Sequence, residues 1–449
     1  MSARVCRRWA WPAAGILVFL ALGVAAVAIP SVASARPGAV LWDKEWRPAA
    51  SPVTTVYNAV APNGNVYVGG LGSDGESATS FLVTCYKPGG GVLWSRSAPL
   101  DATLCDLTGL AADGKSGVVL TGFAKVGGGP LVWVTCRWSA AGVLRYQKTV
   151  DMEGARALDL VCDGAGNAYV AGAVGIESPT ASQWCVVKYD REGAVVWSQT
   201  FRGAGSAGDW ASEIARDSDG RIYVAGISRP DWAEYEVTLL KYTSEGKRLW
   251  KRFWDEPAGV RGVSVADLAA TRDGAAICGT VADADYRLHP FALRYAPSGK
   301  LAWARTYRLR TTETGSYDVV AMDSGGNVVV AGAQSADSPE DWGMLVARYG
   351  PGGVRAWSRL RSFAGSNGRA GSLALDAYGN AFVTGANWYT TAGPQTACIT
   401  WSLTPAGTSR WSRVRSGLGF ATDIAVTRTA AYVVGNHGDV GGFVVKYVR

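Results

Sequence analysis

The stretch YDREGAVVWSQTF, residues 189–201, ends a β-like run in a tight turn and sets a tryptophan four positions after Gly193. The same arrangement returns as YTSEGKRLW, YAPSGKLAW and YGPGGVRAW. Working outward, short β runs ending in glycine recur at Gly70, Gly122, Gly172, Gly226, Gly279, Gly332, Gly385 and Gly435, spaced by 50 to 54 residues. A fixed period of this length marks a solenoid, an array or a propeller. Each repeat reads as four strands. In one unit these are a (ASEIARD), a tight Asp/Gly turn, b (RIYVAG), a variable loop, c (VTLLKY), a second tight turn and d (KRLWKRF). Four short strands per repeat is a propeller blade. The last unit has a, b and c but stops at Arg449 without d, whereas GAVLWDKEW near the N-terminus is an unpaired d. The expectation is therefore an all-β, eight-bladed propeller closed by the N-terminal strand, with seven blades as the alternative.

The quoted turn supplies one large aromatic per unit: Trp42, Trp94, Tyr146, Trp197, Trp250, Trp303, Trp357 and Trp411. A four-stranded sheet cannot bury both faces alone, so this girdle is expected to dock each blade on the next. Two residues further on stand Lys44, Arg96, Lys148, Gln199, Arg252, Arg305, Arg359 and Arg413. We read the seven basic ones as edge-strand charges that prevent aggregation, in preference to a polyanion-binding belt.

Composition agrees with many short strands: 57 Gly, 19 Trp, 18 Tyr and 18% charged residues in 449. Residues 1–35 have basic Arg4, Arg7 and Arg8, an apolar run and small residues at Ala33, Ser34 and Ala35, the pattern of a secretory signal peptide. Residues 9–35 carry no charge and could instead remain as a membrane span. Either reading places residues 36–449, a single propeller domain, outside the cytoplasm as a secreted or cell-surface protein. Without the three arginines the net charge falls from +7 to +4, too mild to argue for nucleic acid. Membrane contact is expected only through an uncleaved N-terminal segment. Cys85, Cys185, Cys278 and Cys398 sit among apolar strand residues and read mostly as buried free thiols, with one or two disulfides open as a possibility.

The junction Tyr-Asp-x-x-Gly-x-x-x-Trp, with the hairpins DGAGNAYVAG, DSGGNVVVAG and DAYGNAFVTG, resembles the bacterial SBBP-type β-propeller repeat. It is also similar to the tryptophan-docking motif of quinoprotein-like eight-bladed propellers, although the motif's Thr is absent and Asp190 lies one residue nearer Gly193. The resemblance spans residues 36–449 and implies an envelope or secreted propeller more than an activity.

Most chemistry-bearing patterns are missing. GAGSAG at 203–208 matches a dinucleotide loop but sits between strands d and a, with Tyr223 where an acid is needed. Sialidase-type boxes need a shorter Gly-to-aromatic gap than this turn has. No two cysteines adjoin, so PQQ is not expected, and no other cofactor or metal is implied. The two histidines, His289 and His437, lie in separate loops, and DSDG and DADY fall short of a calcium loop. Strand a carries Asp159, Glu213, Asp267 and Asp423 at equivalent positions. These are expected to line the central channel and serve its hydration and hydrogen bonding in preference to a cation site.

The b–c and d–a loops are longer and more varied than the tight turns and emerge on one face. They gather Trp210, Trp232, Tyr235, Trp254, Tyr286, Trp342, Trp388 and Tyr389 among acidic residues, mostly in units four to seven. Aromatic rings beside carboxylates suit stacking on sugars or a protein hot spot. The leading expectation is a non-catalytic module that binds a glycan, a cell-wall polymer or an envelope protein through this loop face. A hydrolase or lyase using loop or channel carboxylates with His289 is the alternative, and a purely structural envelope component is a third reading.

Overall fold

The computed structural model describes residues 36–449 except 48–53, 74–78, 128, 151, 153, 177–181, 204–207, 230–234, 255–259, 308, 310–312, 336–341, 363–365, 390–394, 418 and 438–440. For residues 54, 55, 73, 79, 101, 366, 388, 389 and 395 it describes the backbone only. The N-terminal signal or anchor therefore lies outside the described residues.

Each repeat folds as the period demands, into four consecutive antiparallel strands. In the fourth unit these are Trp210–Arg216, Ile222–Ser228, Glu236–Tyr242 and Arg248–Trp254, paired in chain order. Near-continuous apolar runs bury both faces of b and c, and d stays half-exposed at the outer edge. Successive groups pack face to face as the blades of a β-propeller. The unpaired N-terminal strand is accounted for: Val40–Trp46 runs antiparallel to Gly442–Val448, with Val40 opposite Tyr447 and Glu45 opposite Phe443. It is the fourth strand of the sheet formed by Ala421–Val426, Ala430–Asn436 and Gly442–Val448. One connection differs from expectation. Between the first two units there is no d–a loop, because Val92–Ala112 runs on as one strand shared by both.

The opening motif now has a physical explanation. Each turn glycine adopts a left-handed conformation (φ +87° at Gly193, +78° at Gly353), which a side chain disfavours. The aromatic of the preceding unit lies flat against it. A Cβ at Gly193 would sit 2.6 Å from the Tyr146 ring, and one at Gly353 would sit 2.6 Å from Trp303. The indole N–H then donates to a carbonyl in the same turn: Trp94 to Ala140 (2.9 Å), Trp303 to Pro351 (3.0 Å) and Trp357 to Pro405 (2.8 Å). The contact runs through all eight units, from Trp42 on Gly90 to Trp411 on Gly38. Gly38 belongs to the chain segment just before the N-terminal strand, so the last contact joins the two ends of the chain.

The basic residues after the girdle do more than guard an edge. Arg96, Arg252, Arg305 and Arg359 each donate Nε to the carbonyl of the glycine on which the neighbouring aromatic rests, at 3.0, 2.8, 2.8 and 3.0 Å. The guanidinium fork suits this clasp because its second branch reaches the carbonyl of the preceding residue, as Arg305 does with Ala304 (2.7 Å). The edge-guard expectation is corrected for these four: they hold unit to unit. The described cysteines are buried and free, without disulfides among them.

Candidate functional site

The site is built by strand a, and a β-bulge in that strand decides which residues reach it. In each unit the pairing of a with b slips by one residue, as between Ala211 and Glu213 or Ala370 and Ser372. The bulge presses a carbonyl of strand a against strand b. A Cβ on Gly172, Gly332 or Gly385 would lie 2.0 Å from the oxygen of Arg156, Ser316 or Arg369. From the second unit to the eighth, the glycine that ends the b run is thus a close-approach residue. The extra residue also reverses the inward and outward alternation of strand a.

That reversal corrects the expectation for the strand-a acids. Asp159, Asp267 and Asp423 are not hydrated channel groups; they are buried between blades. Each accepts a backbone N–H from strand a of the next unit: Asp159 from Ile214 (3.0 Å), Asp267 from Val320 (2.8 Å) and Asp423 from Asn58 (2.9 Å). Asp423 also receives the Ser372 hydroxyl (2.9 Å) from the unit before it. A bulge leaves amides without ladder partners, and a carboxylate from the adjacent blade satisfies them. Of the four acids, Glu213 alone reaches the central space.

What faces that space are the residues one and three positions before the acids. They line a cavity of about 1230 Å³ opening on the loop face, with walls from the second to the seventh unit. Arg156, Trp210, Ser264, Ser316 and Arg369 are the residues three before, and Ser212 and Asp318 belong to the position one before. Arg369 forks onto both oxygens of Asp318 at 2.8 and 2.7 Å. Arg229 lies over the Tyr235 ring with its guanidinium carbon 4.5 Å from the centroid, and Arg156 lies 4.9 Å over Phe123. The wall is mixed: aromatic faces, three guanidinium groups, two carboxylates and several serines. Such a surface offers stacking planes with donors and acceptors beside them.

Of the eight sequence-predicted aromatics, the cavity unites Trp210, Tyr235 and Trp342. Trp254 is corrected. Its ring lies tilted with its centroid 5.0 Å from that of Phe291 in the next unit, and it packs half-buried against the inter-blade core. Tyr286 is 73% exposed and stands apart from the cavity wall, in a left-handed conformation (φ +61°) within the b–c loop of the fifth unit. Trp232 lies outside the described residues, as do the side chains of Trp388 and Tyr389. Sequence reasoning missed Arg156, Arg229, Arg369 and Asp318. For Arg156, Arg369 and Asp318, reading strand a with a bulge would have moved attention to the columns one and three positions before the acids.

The remaining candidates have structural partners. His289 is mostly buried, with Nε2 3.1 Å from Asp283 Oδ2. The amide of Arg287, with His289 next, holds the Asp283 carboxyl below its usual range. His437 donates to the Gly417 carbonyl (3.1 Å). In DADY, residues 283–286, Asp283 accepts the amides of Asp285 and Arg287 (both 2.9 Å). In DSDG, Asp217 accepts those of Asp219 (2.9 Å) and Arg221 (2.8 Å), and burial raises its pKa. These are turn-forming carboxylates. No cluster of three or more metal-ligating side chains occurs among the described residues.

No family model matches the chain, and no curated protein does. Solved structures similar to it include the β-propeller domain of the Trilobed protease from Pyrococcus furiosus, 8% identical, with a TM-score of 0.44 over 79% of this chain and 93% of that one. A polysaccharide lyase, a PL25 ulvan lyase, is 10% identical, with a TM-score of 0.45 over 91% and 96%. A subtype N10 neuraminidase-like protein of a bat influenza A virus is 10% identical, with a TM-score of 0.37 over 69% and 96%. Likeness of this degree carries no inference about what this chain does.

Proposed function

We propose that the chain is an exported, eight-bladed propeller of the SBBP type that binds a glycan or cell-wall polymer, without chemical turnover, in the cavity of its loop face. The observation that carries this reading is the cavity wall, which sets Trp210, Tyr235 and Trp342 beside three arginines and a row of strand-a serines. Apolar planes bordered by fixed polar groups are what sugar rings and their hydroxyls require. Eight successive aromatic-to-glycine contacts, the last on Gly38, support the blade count. Binding is preferred to hydrolysis or elimination because one of the two cavity carboxylates, Asp318, has both oxygens engaged by Arg369. Acid–base chemistry needs carboxylates free to exchange a proton with the substrate. An envelope protein is the other partner the wall could accept.

The test is an array of glycans and cell-wall polymers probed with the wild-type chain, Trp342→Ala and Ser264→Trp. Ser264 is exposed within the cavity, so a tryptophan there intrudes on the space without disturbing the core. Retained binding in Ser264→Trp with an unchanged melting temperature would refute the cavity as the site. Release of shortened or unsaturated products would favour the hydrolase or lyase reading.

A further inference from the structure

The face opposite the cavity carries an asymmetry of its own. Strand d begins there in every unit, and the three residues before each girdle aromatic differ sharply around the ring. In the eighth, first, second and third units they are AVL (39–41), GVL (91–93), VLR (143–145) and AVV (194–196). In the fourth to seventh they are KRL (247–249), KLA (300–302), VRA (354–356) and TSR (408–410). The first four triplets hold one charge and the last four hold five. All eight valines and leucines of the first group are 42–58% exposed. The units are neighbours: Trp42 rests on Gly90, Trp94 on Gly142 and Tyr146 on Gly193, so their triplets form one apolar arc on half of the rim. Edge strands are ordinarily protected by charge or proline at such positions, and an exposed aliphatic arc marks an interaction surface.

The chain itself indicates what covers it. The uncharged stretch of residues 9–35, long enough to cross a bilayer, ends directly before the first described residue, Arg36. The N-terminal strand that opens the arc with Val40 and Leu41 follows within five residues. Gly38 occupies the place of a c–d turn glycine, so residues 1–35 leave from the same face as the arc. We infer that residues 9–35 stay in the membrane and that the arc of the eighth, first, second and third units lies against the lipid surface. The blade next to the anchor leads the contact, and the charged half of the rim tilts away. The cavity then points away from the bilayer. This inference goes beyond the ligand reading and can fail without it.

The experiment uses the full chain in uncharged phosphatidylcholine vesicles, so that anionic lipid does not draw the five basic residues of the other half to the surface. In a Cys6→Ser background the remaining cysteines are buried, so an environment-sensitive fluorophore can be placed singly through Leu41→Cys, Leu93→Cys, Val196→Cys or Ser409→Cys. Nitroxide-bearing lipids are expected to quench the first three at least threefold more than the fourth. Combining Leu41→Asp with Val196→Asp should abolish quenching of the Leu93→Cys label while the melting temperature holds. Equal quenching at all four positions would overturn the inference, as would release of the propeller from the vesicles. So would protection of the first three labels without lipid that grows with protein concentration, which would mean that a second copy covers the arc.

Discussion

Replacing Gly353 by alanine tests the docking contact at one of its two tightest points. The residue has φ +78°, and a Cβ built on it meets Trp303 Cγ at 2.6 Å and Cβ at 2.9 Å. The left-handed backbone costs an alanine roughly 1–2 kcal/mol. Forcing the ring aside adds about 1–3 kcal/mol of overpacking. Reduced freedom of the unfolded chain returns about 0.4–1 kcal/mol, so the net loss is about 1–5 kcal/mol. The neighbouring Gly352 is the control, because a Cβ there meets nothing within 4 Å. Its change to alanine should shift stability by no more than about 0.5 kcal/mol. Urea unfolding followed by tryptophan fluorescence compares the two by their midpoints, provided the slopes agree. Equal midpoints would mean that the turn glycine serves only the turn and that the Trp303 contact carries no energy.

Four further outcomes follow from the same geometry. Trp303→Ala should cost roughly 3–5 kcal/mol, as a buried ring truncation does. Arg305→Ala should cost about 1–2 kcal/mol, because its charge-assisted bond to Gly353 is partly exposed; a double-mutant cycle with Gly353→Ala should show coupling, and additivity would count against the clasp. Asp423→Ala should destabilise by at least about 2 kcal/mol, since it strands the Asn58 amide and the Ser372 hydroxyl between blades; a neutral effect in a urea melt would remove the inter-blade role. Burial pushes the thiols of Cys85, Cys185 and Cys398 up to about 11, so at pH 8 they are uncharged in the native state and shielded from reagent; a thiol-specific dye should label them only after unfolding, and native labelling of these three would contradict the packing.

Repetition made the fold legible. Eight returns of one turn, an N-terminal d and a C-terminal unit lacking d left little freedom, and the register of Val40–Trp46 on Gly442–Val448 follows from that pattern. The site was legible only in part, for two physical reasons. A period-two reading of strand a pointed Asp159, Asp267 and Asp423 into the channel, but the bulge before each turns them into the blade interface, and no single residue type announces that bulge. The strand-b glycine was visible as a repeat marker, yet its meaning depends on a carbonyl 2.0 Å from its absent Cβ. The arginines after the girdle read as edge charges because their acceptor, a glycine carbonyl about 47 residues away, exists only once the blades are docked. Trp254 shows the converse: a ring near a loop by sequence packs against the core because Phe291 of the next unit faces it.

The cavity as the binding site is tested most directly by a hydrogen-exchange footprint of the full chain with whichever glycan or cell-wall polymer the array selects. The account predicts slowed exchange confined to the strand-a segments around 156–158, 210–213, 262–266, 316–318 and 367–369, with the outer rim unchanged. Protection confined to the rim or the tight-turn face, with those five segments unaffected, would contradict it.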